Sequence, residues 1–160
     1  MIRALSEGER ALAHAVFGEA LALDGVRVLA SPFRRAFVPG RWFGREWIFW
    51  PRRTLPADMA TASVPQQATF IHELVHVWQA QQGVNLLTAK LRAGDGAGAY
   101  AYPTIPACRW DNLNIEQQAS VVEHAFRLSR GHAAPARPTF YGAVVPFPAC
   151  GVGGADLGEV

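Results

Sequence analysis

Phe70-Ile71-His72-Glu73-Leu74-Val75-His76-Val77-Trp78-Gln79 sets two histidines four residues apart, with a carboxylate directly after the first. At about 3.6 residues per turn and 1.5 Å rise, that spacing puts both imidazoles on one helical face about one turn apart. They can then hold one ion together. The H-E-x-x-H pattern is the signature of zinc-dependent hydrolases. Zinc takes imidazole nitrogen at about 2.0–2.1 Å, and a catalytic site uses three protein ligands and leaves a position for water. Glu73 lies about 100° round the helix from His72, within reach of such a water without ligating the metal, which makes it the candidate general base. Two core histidines bonded to backbone carbonyls would leave the same five letters, so the setting has to decide.

That setting is helical. Ser63-Val64-Pro65-Gln66 reads as a capping box with proline in the first turn, and Gly83 supplies a C-terminal stop. Ile71, Leu74, Val75 and Trp78 form an apolar stripe, leaving Thr69, His72, Glu73, His76 and Ala80 on a second, narrow polar face.

A third ligand is sought in the next long helix. Asn114 is its expected N-cap with Gln117 in the capping-box position, and it should run to Arg130 and stop at Gly131. Ile115, Val122 and Phe126 mark its buried stripe; Glu116, Ala119, Ser120 and Glu123 lie on an adjoining one. Arg127 four residues after Glu123 explains that acid as a surface ion pair. Glu116 has no such partner, and completes a His-His-Glu set if small Ala119 lets the helices approach. An acid favoured by the helix dipole is the other reading of Glu116. Glu123, His124, Asp111 and His132 stay open as further candidates.

Around this motif, 160 residues fit one domain, 1–160, and 50% hydrophobic with 18% charged residues is a globular profile rather than a disordered one. No run of 18 apolar residues occurs, and the N-terminus lacks the apolar stretch of a secretory signal. The expectation is a cytoplasmic protein, or one exported without a conventional signal. A net charge of +2 implies no polyanionic partner by itself. Its distribution says more: Arg34, Arg35, Arg41, Arg45, Arg52 and Arg53 interleave with Phe33, Phe37, Trp42, Phe43, Trp47, Phe49 and Trp50. Such a segment can bind single-stranded nucleic acid or an acidic partner. A pair of strands with arginines on the wet face and aromatics on the core face explains it more simply, so nucleic acid is not an expected partner. Cys108 and Cys150 lack C-x-x-C spacing and read as separate thiols.

Ser6-Glu7-Gly8-Glu9 is a capping box for a first helix over 7–22. Val26–Leu29 and Trp47–Trp50 read as strands, with turns at Pro39-Gly40 and Gly44, and the strand upstream of the histidine helix could bind an extended substrate by its edge. Arg92–Gly98 reads as a loop, either mobile beside the site or simply a tolerated surface connection. From Ala133 the chain turns rich in proline and glycine, and 133–160 is expected to be an irregular wrapped tail.

With Gln79 three residues past the second histidine, Phe70–Gln79 resembles the H-E-x-x-H-x-x-Q signature of the zinc metallopeptidase domain found with extracellular contractile injection systems. The chain is also similar to small bacterial Vgr-related proteins, which carry a comparable N-terminal helix and a later Ile-Glu-Gln-Gln-Ala segment, here Ile115 to Ala119. The resemblance covers residues 4–130. It implies an α+β, minimal gluzincin-like fold in which the active-site helix and a third-ligand helix pack with a small β-sheet. It further implies His72, His76 and Glu116 as zinc ligands and Glu73 as base.

The expected function is a zinc metallopeptidase that hydrolyses a peptide bond with a Glu73-activated, zinc-bound water, tied to a bacterial secretion or toxin-delivery system. Gln79 either orients a ligand or substrate or is simply a polar helix residue, and Tyr100, Tyr102, His124, Arg109 and Tyr141 are possible oxyanion donors. The expected partners are a peptide or protein substrate and a secretion-apparatus or effector protein. One rival is a non-catalytic adaptor in which metal ties two helices together and Cys108 or Cys150 closes the water position. A binding module using the arginine–aromatic segment is the other.

Overall fold

Aromatic and β-branched residues on either side of the Pro39-Gly40 turn build the larger part of a four-stranded sheet. The computed structural model, which describes residues 1–94 and 96–147, has strands β1 (Ile2–Ala4), β2 (Arg27–Ser31), β3 (Arg41–Trp42) and β4 (Arg45–Pro51) in the order β1-β2-β4-β3. β2 and β4 run parallel, with Ser31 opposite Pro51; the outer pairs are antiparallel. Phe43 and Gly44, both at positive φ (54° and 71°), make the two-residue turn of the β3–β4 hairpin, the left-handed geometry that matches strand twist.

The sheet corrects three expectations. Both anticipated strands are longer than the apolar runs that mark them, and β1 was not foreseen because three residues give no period to read. β4, just upstream of the histidine helix, lies between β2 and β3 rather than at the sheet's edge, with Phe37 bridging to Phe49 on the β3 side. The aromatics also divide between the faces. Glu46, Ile48 and Trp50 of β4 are buried, whereas Trp47 and Phe49 are half-buried on the other side.

Helix α1 (Glu7–Phe17) starts at the Ser6 capping box as expected. It ends at Gly18 (φ 55°) and passes into a 3₁₀ turn, Gly18–Ala20, which shortens the helix expected over 7–22. Glu9 does more than cap. Fully buried, its carboxylate accepts from Arg3 Nη1 (2.7 Å) and Nη2 (2.6 Å) and from the backbone N–H groups of Ser6 (2.9 Å) and Met59 (3.1 Å). It thus ties β1, α1 and the Met59 turn together. Glu9→Ala would strand a part-buried guanidinium and two N–H donors, and should destabilise the fold by about 3–5 kcal/mol, measurable by urea unfolding.

Helix α2 (Val64–Gln81) carries the histidines. Its capping box does not form: the Ser63 hydroxyl donates to Gln66 Oε1 (3.1 Å), and Gln66 Nε2 donates to the Thr54 carbonyl (3.0 Å), drawing that side chain away from the backbone. The C-terminus follows expectation, with Gly83 at φ 86° and Val84 N–H donating to the Gln79 carbonyl (3.0 Å). α2 packs on β4 and on α5 (Ile115–Ser129), and every residue from Phe70 to Val77 is buried.

Between these helices, α3 (Leu86–Ala93) and α4 (Ala97–Tyr100) take up most of the stretch expected as a loop. The tail is also more regular than its composition implied. Pro138–Val144 forms α6, started by proline at its first position; Tyr141 and Val144 are buried, as is Phe147, which packs edge-on against Phe17, Trp78 and Trp110. Cys150 lies outside the described residues. The class is mixed α+β, and no helix among the described residues is long and apolar enough to cross a membrane.

Candidate metal centre

The four-residue spacing in α2 and the Asn114 cap of α5 together position the centre. Asn114 Oδ1 accepts from Gln117 N–H (2.8 Å), and Gln117 Oε1 accepts from Asn114 N–H (2.9 Å), so α5 begins where expected and Glu116 falls in its first turn. Ala119, fully buried one turn on, presents only a methyl group to the interface with α2. Glu116 Oε2 then lies 3.3 Å from His72 Nε2 and 3.2 Å from His76 Nε2. One ligand atom from each residue lies within 4.8 Å of the others, a group able to hold a metal ion.

The far side of each imidazole is fixed as well. Gln79 Nε2 donates to the Ile115 carbonyl (3.0 Å) and to Gln118 Oε1 (2.9 Å). A carbonyl only accepts, so the amide orientation is determined, and Gln79 Oε1 must face His76 Nδ1 (2.8 Å). Nδ1 therefore donates to Gln79 Oε1, and Nε2 is left directed at Glu116. His72 Nδ1 donates likewise to Glu123 Oε2 (2.9 Å). This is the outer-shell pattern that holds histidine tautomers in metal sites.

Glu123 is thus corrected from a surface partner of Arg127 to the group orienting His72 across the helix pair. Sequence reasoning missed it because an i, i+4 arginine offered a sufficient local explanation. The available signal was the seven-residue spacing that puts Glu123 on the face of Glu116. Lys90, also unread, brings Nζ to 3.9 Å from Glu116 Oε1.

Glu73 is buried beside this group, and its Oε2 has no hydrogen-bond partner. A buried carboxylate oxygen left unmatched is costly unless water, substrate or an ion completes it, and two imidazole nitrogens with one carboxylate suit such an ion. Tyr100 stands at the rim, 37% exposed, its ring 6.2 Å from that of His72. Tyr102 is instead held by its neighbours. Its hydroxyl lies 2.6 Å from His124 Nδ1 and 2.9 Å from the Tyr141 hydroxyl, which accepts from Ala136 N–H (3.2 Å). Burial, helped by Arg127 and His72, lowers the His124 pKa against the pull of Glu123. The Arg109 guanidinium folds back on the Pro106 and Cys108 carbonyls, and Asp111 and His132 are exposed and outside the group. Cys108 is a buried free thiol outside it too.

Burial by itself would lower the His72 pKa, but hydrogen bonds to Glu116 and Glu123 and the charge of Glu73 reverse this and raise it to about 9. Burial would raise the Glu116 pKa; the two histidines and Lys90 instead hold it well below the usual carboxylate range. Stability from the raised His72 is complete below its ordinary 6.5 and is lost as pH rises towards about 9. Stability from the depressed Glu116 is present above its ordinary 4.5 and is lost as pH falls. Metal-free protein should therefore melt highest between these two ordinary values and lower towards pH 9. A metal ion held by this group would require deprotonated ligands, so any rise in Tm that it brings should grow over the same interval, as calorimetry with and without chelator will record.

An α+β domain with a His-His-Glu group and a buried glutamate beside it defines the class. No protein-family model matches the chain. It is 34% identical over 162 aligned residues to the type VI secretion system spike protein VgrG2b of Pseudomonas aeruginosa; the match takes in 91% of this chain and 15% of that protein. It is also similar to the solved effector domain of P. aeruginosa VgrG2b, with a TM-score of 0.66 and 34% identity over 80% of this chain and 75% of that one. The chain belongs to the family of the VgrG2b effector domain.

Proposed function

We propose that this domain is a gluzincin-like zinc metallopeptidase that uses Glu73 to drive the attack of water on a peptide carbonyl. The observation that carries the reading is the convergence of His72 Nε2, His76 Nε2 and Glu116 Oε2, both Nδ1 atoms being tied back, next to the unpartnered Glu73 Oε2. Three N/O donors with a fourth position left for water is the ligand count of a catalytic zinc site. Bound zinc would lower the pKa of water to about 7 and polarise the carbonyl. Glu73 takes the proton from the attacking water and passes it to the leaving amine. Tyr100 at the rim is the candidate donor to the developing oxyanion. Of the two thiols that could close the water position in the adaptor reading, Cys108 stands outside the group and Cys150 lies outside the described residues.

Membership in the family of a spike protein's effector domain supports delivery by a bacterial secretion apparatus, with that apparatus and a peptide or protein substrate as partners. The test is cleavage of a peptide mixture and of co-encoded candidate substrates by zinc-loaded protein. Cleavage should stop on chelation and return with zinc; cleavage indifferent to chelator would remove the reading. Gln79→Leu should weaken zinc binding by about 10–100-fold, because His76 loses the acceptor that fixes its tautomer. Competition with a fluorescent zinc chelator measures it.

A further inference from the structure

The segment from Ser31 to Arg53 carries six arginines and one acid, Glu46, which is buried and pairs with Arg41 (3.5 Å). Among the described residues, the side chains of Arg34, Arg35, Arg45, Arg52 and Arg53 have neither a carboxylate nor a hydrogen-bond partner. The sheet gathers four of them at one end. Because β2 and β4 are parallel and end opposite each other at Ser31 and Pro51, the loops that follow leave in the same direction, side by side. Arg52 N–H donates to the Ser31 carbonyl (2.9 Å), and Thr54 N–H closes a turn on the Pro51 carbonyl (3.1 Å), fixing the spacing.

Between the loops lies a crevice of about 640 Å³ lined by Ser31, Phe33, Arg34, Arg52, Arg53 and Thr54. Ser31 is only 2% exposed, yet its hydroxyl has no hydrogen-bond partner. Phe33 is 54% exposed and is braced edge-on by Phe37 at 5.4 Å. Three unneutralised guanidinium groups around a concavity repel one another, and an unsatisfied hydroxyl at its floor is costly. Both penalties vanish when a multivalent oxyanion is bound. A single carboxylate offers two oxygens and one charge, fewer than three arginine forks can engage. A phosphate monoester offers three oxygens and nearly two charges.

We propose that this crevice binds the phosphate group of a phosphorylated ligand, with Arg34, Arg52 and Arg53 as cationic contacts, Ser31 as a donor at the floor and Phe33 as an apolar wall. The site shares no residue with the metal centre and does not depend on the peptidase reading.

Inorganic pyrophosphate is the free probe, and phosphatidylcholine vesicles with and without phosphatidic acid are the lipid probe, each titrated onto the full chain by calorimetry or sedimentation at low and physiological salt. Arg52→Ala/Arg53→Ala, exposed positions whose loss spares the core, should weaken binding by about a hundredfold, roughly tenfold per charged hydrogen-bonding group. Arg45→Ala/Arg92→Ala removes the same charge elsewhere and should have little effect. Binding of pyrophosphate without vesicles assigns a soluble ligand. Vesicle binding that pyrophosphate competes away assigns a lipid headgroup. The proposal is overturned if neither probe binds, if binding survives in the crevice variant and so sits at the metal centre, if the charge-matched control loses as much, or if only a single-stranded oligonucleotide binds.

Discussion

Glu73→Gln is expected to keep one zinc per chain and to lose hydrolysis by about 10²–10⁴-fold, the usual worth of a positioned general base. The amide copies the shape of the carboxylate but cannot take a proton from water. Structure gives the variant every chance to fold. Glu73 is buried with one oxygen unpartnered, and a neutral side chain there removes a desolvated charge. The lost charge also attracts protonated His72, so the two effects oppose and Tm should stay close to that of the parent. Retained turnover on any peptide or co-encoded substrate would exclude Glu73 as the base, and with it the proposed chemistry.

The second large effect separates the two carboxylates of α5. Glu116→Ala should abolish tight zinc binding, since the two histidines then stand alone and two ligands rarely hold zinc in competition with water. Glu123→Ala removes only the acceptor of the His72 Nδ1 proton, and should weaken zinc by about 10–100-fold without abolishing it. Reading Glu123 as an exposed i, i+4 pair predicts almost no change, about 0.2–0.5 kcal/mol. Competition titration of the two variants distinguishes these outcomes. A Glu123 variant that binds like the parent would remove its orienting role.

The contrast between these residues marks what a single sequence discloses. His72, Glu73 and His76 are legible because their relation is local: four residues of helix fix it before any tertiary contact forms. Glu116 is nearly so, since Asn114 and Gln117 announce where its helix begins. Its meeting with His72 and His76 needs the packing of two helices separated by more than thirty residues, which residue spacing leaves open and a family resemblance supplies. Glu123 shows the opposite error, where a sufficient local partner conceals a tertiary one. In the sheet, β1 is too short to carry a period, and the parallel pairing of β2 with β4 is a topological choice that no single strand encodes. The helix in the proline-rich tail was masked by composition, although Pro138 starts it and Tyr141 and Val144 bury one side.

Zinc content and melting of protein purified without a histidine tag test the central claim most directly. One zinc per chain by elemental analysis, lost to chelator with a fall in Tm and restored by stoichiometric zinc, is the predicted result. A fully folded protein that purifies without metal and melts at the same temperature with and without added zinc would contradict it.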